Sequence, residues 1–180
     1  MYITKLIRDF NIGAISPTPK NIIDKMFAHV DFEMAKIVVE FGPGGGVITK
    51  QLLKNLQPNA RLFVFETNKE FIKELEQIKD NRLKIINADA LLFKQKLQED
   101  YQVLKVDYIF STIPFSFFEE EKRSKIIKLS YDVLNKNGKF ITYQYSKLLY
   151  KYLKKQFQNT QLDFTLKNIF PSFIMVGIKK

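Results

Sequence analysis

Cysteine and tryptophan are absent from this sequence of 180 residues, and histidine occurs once, as His29. Without thiols there is neither a disulfide framework nor a thiolate metal site, and one imidazole cannot build a histidine cluster, so no metal centre is expected. No apolar run approaches the roughly 20 residues needed to cross a bilayer. The first residues also lack the basic, apolar and small-residue plan of a secretory leader, so the expected compartment is the cytoplasm. Arginine is scarce, supplying four of the 29 basic residues, and part of the basic character therefore reflects a lysine-rich composition.

What is present fits one soluble globular domain spanning 1–180. Hydrophobic residues make up 46% and charged residues 27%, and the length is enough to bury a core. The formal charge of +10 is unevenly placed: residues 1–121 hold 16 basic against 17 acidic side chains, whereas residues 122–180 hold 13 against 2. The excess sits in the last third, where it suits an anionic partner, either a lipid surface or RNA.

The densest signal is Ile37-Val38-Val39-Glu40-Phe41-Gly42-Pro43-Gly44-Gly45-Gly46, an apolar strand ending in an acid, then a glycine-rich loop, then a helix from Val47. Glycines at such a turn permit positive φ or let the backbone approach a ligand, which marks a nucleotide-binding turn. A dinucleotide fingerprint would use Gly42 and Gly44, would require glycine where Val47 stands, and would set Glu40 beside a pyrophosphate. S-adenosylmethionine has no phosphate and carries an ammonium and a sulfonium that a carboxylate stabilises, so the residues favour it. A plain strand-to-helix turn is the alternative without a ligand.

Upstream, Tyr2, Ile3, Leu6, Ile7 and Phe10 predict an amphipathic helix over 2–10, either an arm packed on the domain or a segment lying in a lipid interface. Thr18 as N-cap and Pro19 at the first helical position predict a helix through Val30, which completes an N-terminal arm over 1–30. Downstream, strand 61–66 ends in Glu66, placed where α/β nucleotide sites present a carboxylate to ribose hydroxyls. Thr67 and Glu70 read as a capping box for a helix over 68–79. Strand 83–87 leads to Asp89, which can accept from an adenine amino group, beside Ala90, small enough to let the base lie flat. A helix over 91–98 and a strand over 106–110 follow, running into Ser111-Thr112-Ile113-Pro114-Phe115. Helix 119–134, an Asn137–Gly138 turn, strand 139–145, a basic helix over 147–158 and strands 162–169 and 172–179 complete the chain. Such alternation implies a parallel sheet with helices on both faces, and a ligand outside the carboxyl ends of the strands where their order reverses. Loop 111–115 flanks that point.

Together these pieces resemble the class I S-adenosylmethionine-dependent methyltransferases, and among them the soluble bacterial phospholipid N-methyltransferases, with the ribosomal RNA adenine dimethylases as near relatives. Val39 to Gly46 looks like the first motif of the class. Gly13-Ala14-Ile15-Ser16-Pro17-Thr18 looks like the Gly-Ala-x-x-Pro-Ser segment of the lipid enzymes, and Asn168-Ile169-Phe170-Pro171-Ser172 like their closing Asn-Leu-Pro-Pro-Ala. The resemblance covers nearly all of the chain and implies a Rossmann-like α/β fold, a seven-stranded sheet with its last strand antiparallel. It implies S-adenosylmethionine held by Glu40, Gly42, Pro43, Gly44, Gly46, Glu66, Thr67, Asp89, Ala90 and Ser111. It further implies methyl transfer to the amine of an aminophospholipid or related amino lipid, with Ser111, Thr112, Pro114 and Phe115 as the catalytic loop. There the hydroxyls and carbonyls accept the amine hydrogens, and Phe115, with Tyr143, faces the developing cation. The same loop also resembles the Asn-Leu-Pro-Tyr of the RNA dimethylases, with Thr112 at the asparagine position. RNA adenine methylation is thus the alternative, and a cofactor-binding protein without turnover a third reading. The RNA enzymes usually carry a further C-terminal helical domain, whereas a seventh strand is expected to close this sequence. The expected partners are an amino lipid and an anionic membrane surface, with the protein peripheral on the inner face.

Overall fold

Apolar runs decide the layout, because strands buried on both faces belong in the middle of a covered sheet. The structure, a computed structural model, describes residues 18–165 and 171–180. Strands β1 (Ile37–Phe41), β2 (Arg61–Glu66), β3 (Leu83–Asn87), β4 (Val106–Ser111), β5 (Leu134–Gln144), β6 (Asn159–Thr165) and β7 (Ser172–Ile178) form one sheet in the order β3-β2-β1-β4-β5-β7-β6. β1 pairs in parallel with both β2 and β4, so the strand order reverses there and the carboxyl ends of β1 and β4 bound a crevice. β7 runs antiparallel between β5 and β6. This is the seven-stranded Rossmann-like plan, with its last strand reversed as expected.

Helices α1 (Lys20–Phe27), α2 (Val47–Asn55), α3 (Lys69–Leu75), α4 (Phe93–Tyr101), α5 (Glu120–Val133) and α6 (Tyr150–Gln156) cover the two faces. Alternation along β1 explains the split. Val38 packs with Ile22, Met26, Ile48 and Leu52 from α1 and α2, whereas Val39 and Phe41 pack with Phe93, Ile126 and Leu153 from α4, α5 and α6. On the second face Phe41 meets Phe93 edge-on at 4.9 Å between ring centroids and Phe65 at 6.0 Å. Each such pair adds about 0.5–1.5 kcal/mol beyond area burial.

Several boundaries differ from expectation, each for a local reason. Pro19 occupies the N-cap position, where its carbonyl accepts the N–H groups of Ile22 and Ile23, so α1 begins at Lys20 without a side-chain cap and closes at Phe27. α3 is capped by Asn68, whose side chain accepts from Glu70 N–H, because Glu66 already accepts from Thr67 and Asn68. Asn137 and Gly138 distort β5 from within rather than turning into it: Asn137 has φ 65°, and a Cβ on Gly138 would stand 2.9 Å from the backbone oxygens of Asn135 and Asp107. A 3-10 turn, Ala90–Leu92, precedes α4, and another, Lys147–Leu149, precedes α6. β6 starts at Asn159 and takes the sheet edge, since it is polar while Ile174, Met175 and Val176 of β7 are buried. The helix expected over 2–10, the Gly13-to-Pro17 segment and Asn168 to Phe170 lie outside the described residues.

Candidate functional site

The turn after β1 is closed by hydrogen bonds to its surroundings. Gly42 N–H donates to the Phe65 carbonyl at 2.9 Å, and Gly46 N–H to the Pro43 carbonyl at 3.0 Å, which makes Gly46 the N-cap of α2. Gly42, Gly44 and Gly46 have φ of 68°, 53° and 78°, a region that costs a side-chain-bearing residue about 1–2 kcal/mol. Nothing lies within 4 Å of where a Cβ on Gly44 would stand, so this stretch of backbone is open to close approach. Gly42 is crowded instead: a Cβ there would lie 2.6 Å from Ile113 Cγ2, because loop 111–115 presses against it.

The last residue of β2 ties this loop to the next one. Glu66 is 8% exposed, and its Oε1 accepts from Thr67 N–H at 2.7 Å and Asn68 N–H at 2.9 Å, while Oε2 accepts from Gly44 N–H at 3.3 Å. With a single long bond, Oε2 keeps capacity to accept from a hydroxyl. Thr67 itself is exposed, Pro43 is buried and Ala90 is buried beside Asp89.

Glu40 departs from expectation. It is 1% exposed between β1 and α2, where Oε2 accepts the Thr49 hydroxyl at 2.7 Å and Oε1 has no partner. Burial pushes its pKa up to about 8, against the Thr49 hydrogen bond that lowers it, and the Glu66 charge adds to the rise. At neutral pH it is mainly a neutral acid bracing α2, not a free carboxylate lining the crevice.

Asp89 is held from two sides. Oδ1 accepts from Leu91 N–H at 2.9 Å, starting the turn before α4, and Oδ2 pairs with Lys122 of α5 at 2.6 Å. Burial pushes its carboxyl upward, but the Lys122 hydrogen bond, the Leu91 N–H and the Lys122 charge together hold it below the usual range.

Loop 111–115 is anchored by Thr112, whose N–H donates to the Phe41 carbonyl at 3.1 Å and whose hydroxyl donates to the Gly42 carbonyl at 2.8 Å. Ser111 is fully buried and its hydroxyl has no partner, while its carbonyl accepts from Thr142. Gln144, at the end of β5, donates to the Ile113 carbonyl at 2.9 Å and the Thr142 hydroxyl at 3.1 Å. Phe115 N–H also donates to the Ile113 carbonyl, so both lone pairs of that oxygen are engaged. The Pro114 carbonyl accepts one bond, from Phe117 N–H, and Pro114 is exposed.

Phe115 does not face the crevice. It is 1% exposed, its ring packed 5.8 Å from Phe118 and 6.4 Å from Phe140 between centroids, because the 3-10 turn Phe115–Phe117 rolls it into the core. Tyr143 is likewise buried; desolvation pushes its phenol above the usual range, so it stays protonated and is no base at neutral pH. The fold thus gathers Gly44, Glu66 and Thr67 at one point and Gly42 and Thr112 at another. Thr49, Lys122, Thr142 and Gln144 hydrogen-bond to Glu40, Asp89, Ser111 and Ile113, and sequence reasoning does not reach them. The period-two pair Thr142 and Gln144 at the end of an apolar strand is the one signal that could have found any of them.

Residues 18–158 match the family model of the ribosomal RNA adenine dimethylases. The chain belongs to that family. This dimethylase-family chain is a methyltransferase that uses S-adenosylmethionine. An ornithine lipid N-methyltransferase of Singulisphaera acidiphila is 24% identical to it over 174 residues, 94% of this chain and 90% of that protein. A ribosomal RNA small subunit methyltransferase A of Halothermothrix orenii is 34% identical over 95 residues, 48% of this chain and 31% of that protein, so the match spans about a third of that relative. In fold the chain is similar to precorrin-6y C5,15-methyltransferase of Geobacter metallireducens, with a TM-score of 0.70 at 14% identity over 91% of this chain and 90% of that one. It is also similar to magnesium protoporphyrin IX methyltransferase of Synechocystis, solved with the cofactor bound, with a TM-score of 0.66 at 13% identity over 89% and 77%.

The residues of the dimethylase-family chain fit this cofactor. The open backbone at Gly44, the acceptor capacity left on Glu66 and the buried unpartnered hydroxyl of Ser111 suit a ligand rich in hydroxyl and amine hydrogens. The Glu66 carboxylate, which accepts from backbone N–H groups and has no ion pair among the described residues, suits a cationic guest without phosphate, whereas the Asp89 charge is already paired with Lys122. Among the described residues no group of side chains could hold a metal ion.

Proposed function

We propose that this chain methylates the amine of an aminophospholipid or related amino lipid at a membrane surface. The observation that carries the reading is the state of loop 111–115. An adenine amino group has its lone pair spread into the ring, and localising it takes acceptors for both amine hydrogens. Here Thr112 stands at the position of the asparagine in the RNA enzymes, its hydroxyl hydrogen is directed to Gly42, and the Ile113 carbonyl is filled by Gln144 and Phe115. An aliphatic amine keeps its lone pair localised and needs one acceptor and a correct line of approach, which the Pro114 carbonyl supplies. The near end-to-end match to the ornithine lipid enzyme supports the same class of acceptor.

When bound, S-adenosylmethionine supplies a methyl group already activated on a sulfonium. Glu66 and Thr67 would hold the ribose hydroxyls, Asp89 and Ala90 the adenine, and Gly42, Pro43, Gly44 and Gly46 with Ser111 the rest of the cofactor. Glu40 acts by holding α2 in register with β1. Pro114, on the loop that Thr112 anchors, aligns the amine, a contribution on the order of 7–11 kcal/mol when orientation is complete. The reading takes the amine in its neutral form, and the buried Tyr143 phenol, held protonated by desolvation, takes no part as its base. Among the described residues no helix is long and apolar enough to cross a membrane, and the proposed contact is peripheral, from the cytoplasmic side.

The family match over residues 18–158 and the basic last third favour a second reading, methylation of RNA adenine. Labelled methyl transfer to a lipid extract and to total RNA, run in parallel, separates the two. Label in an amine-bearing lipid is expected, and label confined to RNA would overturn the lipid reading.

A further inference from the structure

Helices α5 and α6 pack against each other on one face of the sheet, and between them lies a groove of about 700 Å³. Lys125 and Lys128 of α5 and Lys151 and Lys155 of α6 line it, with Tyr152 also in its wall and Glu120 and Glu121 as its acidic members. Of the four lysines only Lys128 pairs with a carboxylate among the described residues, Asp132 at 3.1 Å. Lys151 instead sits 4.9 Å from the centroid of the Tyr152 ring.

Two buried donors here have no acceptor. Tyr152 is 6% exposed and its hydroxyl has no hydrogen-bond partner, and the Nε–H of Arg123, on α5, is buried and unpartnered too. The two are neighbours, the Arg123 guanidinium lying 5.5 Å from the Tyr152 ring centroid. Arg123 also reaches the acceptor loop, donating from Nη1 to the Phe115 carbonyl at 3.4 Å. A buried donor left unpaired costs about 1–3 kcal/mol, so the unpartnered Tyr152 hydroxyl in the wall of a lysine-lined groove is a donor available to an oxyanion. A phosphate diester accepts from several donors at once and carries the matching charge.

We infer that the α5–α6 groove binds the phosphate of anionic phospholipid headgroups and so seats the acceptor loop at the bilayer. The choice of lipid rests on the amino-lipid reading above, and two further features support it. Phe117 and Tyr145 are 49% and 50% exposed, next to the two touching 3-10 turns that lead into α5 and α6, and aromatic rings beside cations suit the headgroup boundary. The groove is lined by lysine, a point charge suited to a diffuse anionic surface.

The test is partition of the full chain onto phosphatidylcholine vesicles with and without phosphatidylglycerol. Replacing Lys151 and Lys155 together by Gln should weaken binding to the anionic vesicles by roughly thirty-fold. Tyr152→Phe, which removes only the hydroxyl, should weaken it by roughly ten-fold. Its melting temperature should not fall, since an unpaired buried hydroxyl is lost, and this separates lost binding from lost fold. Unchanged partition of Tyr152→Phe would overturn the site and leave only diffuse attraction by lysines. Release from the vesicles by inorganic phosphate at constant ionic strength would assign the groove to free phosphate. Variants that bind vesicles normally but lose affinity for RNA would overturn the lipid partner. Phosphatidylglycerol has no amine, so a failure here leaves the acceptor assignment standing, and a failure of the methyl-transfer experiment leaves this one standing.

Discussion

Replacing Glu40 with glutamine should stabilise the protein at neutral pH, by an amount that grows as pH rises towards about 8 and is constant above it. Glu40 is buried with one hydrogen bond, from Thr49, and one oxygen unpaired, and burial lifts its pKa from an ordinary 4.5 to about 8. Between those values the unfolded chain has released the proton and the folded protein retains it. The folded state therefore binds more protons, so its stability is fullest below about 4.5 and falls as pH rises towards 8. The slope for one proton is about 1.4 kcal/mol per pH unit, so from about pH 5.5 to 7.5 this carboxyl alone removes on the order of 3 kcal/mol. Above about 8 the folded protein ionises as well and the loss levels off. Glutamine keeps the shape and offers Thr49 an amide oxygen, but it does not titrate. Urea unfolding of both proteins across this range gives the difference directly, with the remaining titrating groups cancelling between them. A difference that stays constant with pH would refute the reasoning, because it would mean that Glu40 is already ionised in the fold and that the crevice carries its charge after all.

Glu66→Ala removes the acceptor of three N–H groups and should raise the dissociation constant for S-adenosylmethionine by roughly ten-fold or more, read by calorimetry, since charged hydrogen bonds are worth about 1.5–3 kcal/mol each. An unchanged constant would remove Glu66 from the cofactor site. Gly42→Ala drives a Cβ to 2.6 Å from Ile113 Cγ2 at a φ of 68°, and should lower kcat by about a hundred-fold through displacement of the acceptor loop. Cofactor affinity should suffer less, and equal losses in both would place the damage in the glycine turn itself. With an aliphatic amine as acceptor, kcat/KM should rise about ten-fold per pH unit between about pH 6 and 8 as the neutral amine becomes available. A profile that levels off near neutrality would reveal a base supplied by the protein.

The local elements were legible because they depend on near neighbours. Apolar runs predicted β1, β2 and β4, and glycines at 42, 44 and 46 predicted a turn of positive φ, which all three adopt. The shared label of strand-end acid was less informative. Glu66 is the last residue of β2 and reaches beyond the sheet to three N–H groups, while Glu40 is one residue short of the end of β1 and turns into the α2 layer. Glu40 pairs with Val64, so Glu66 stands two residues further along the same face of the sheet, and that step separates a carboxylate at the strand end from a buried neutral acid. Phe115 shows the same limit, its place in the core set by a one-turn 3-10 segment that no periodicity announces.

By itself, then, the amino-acid order determined the kinds of element, the parallel sheet and the class of cofactor, because backbone preference and side-chain chemistry act locally, while the reversed last strand was implied by the resemblance to the methyltransferases. Only the tertiary structure decided the placement of β7 between β5 and β6, the protonation of Glu40, the Asp89–Lys122 pair and the unpaired donors of Arg123 and Tyr152. Each of these depends on burial and on distances between residues far apart in the chain, which a sequence does not carry.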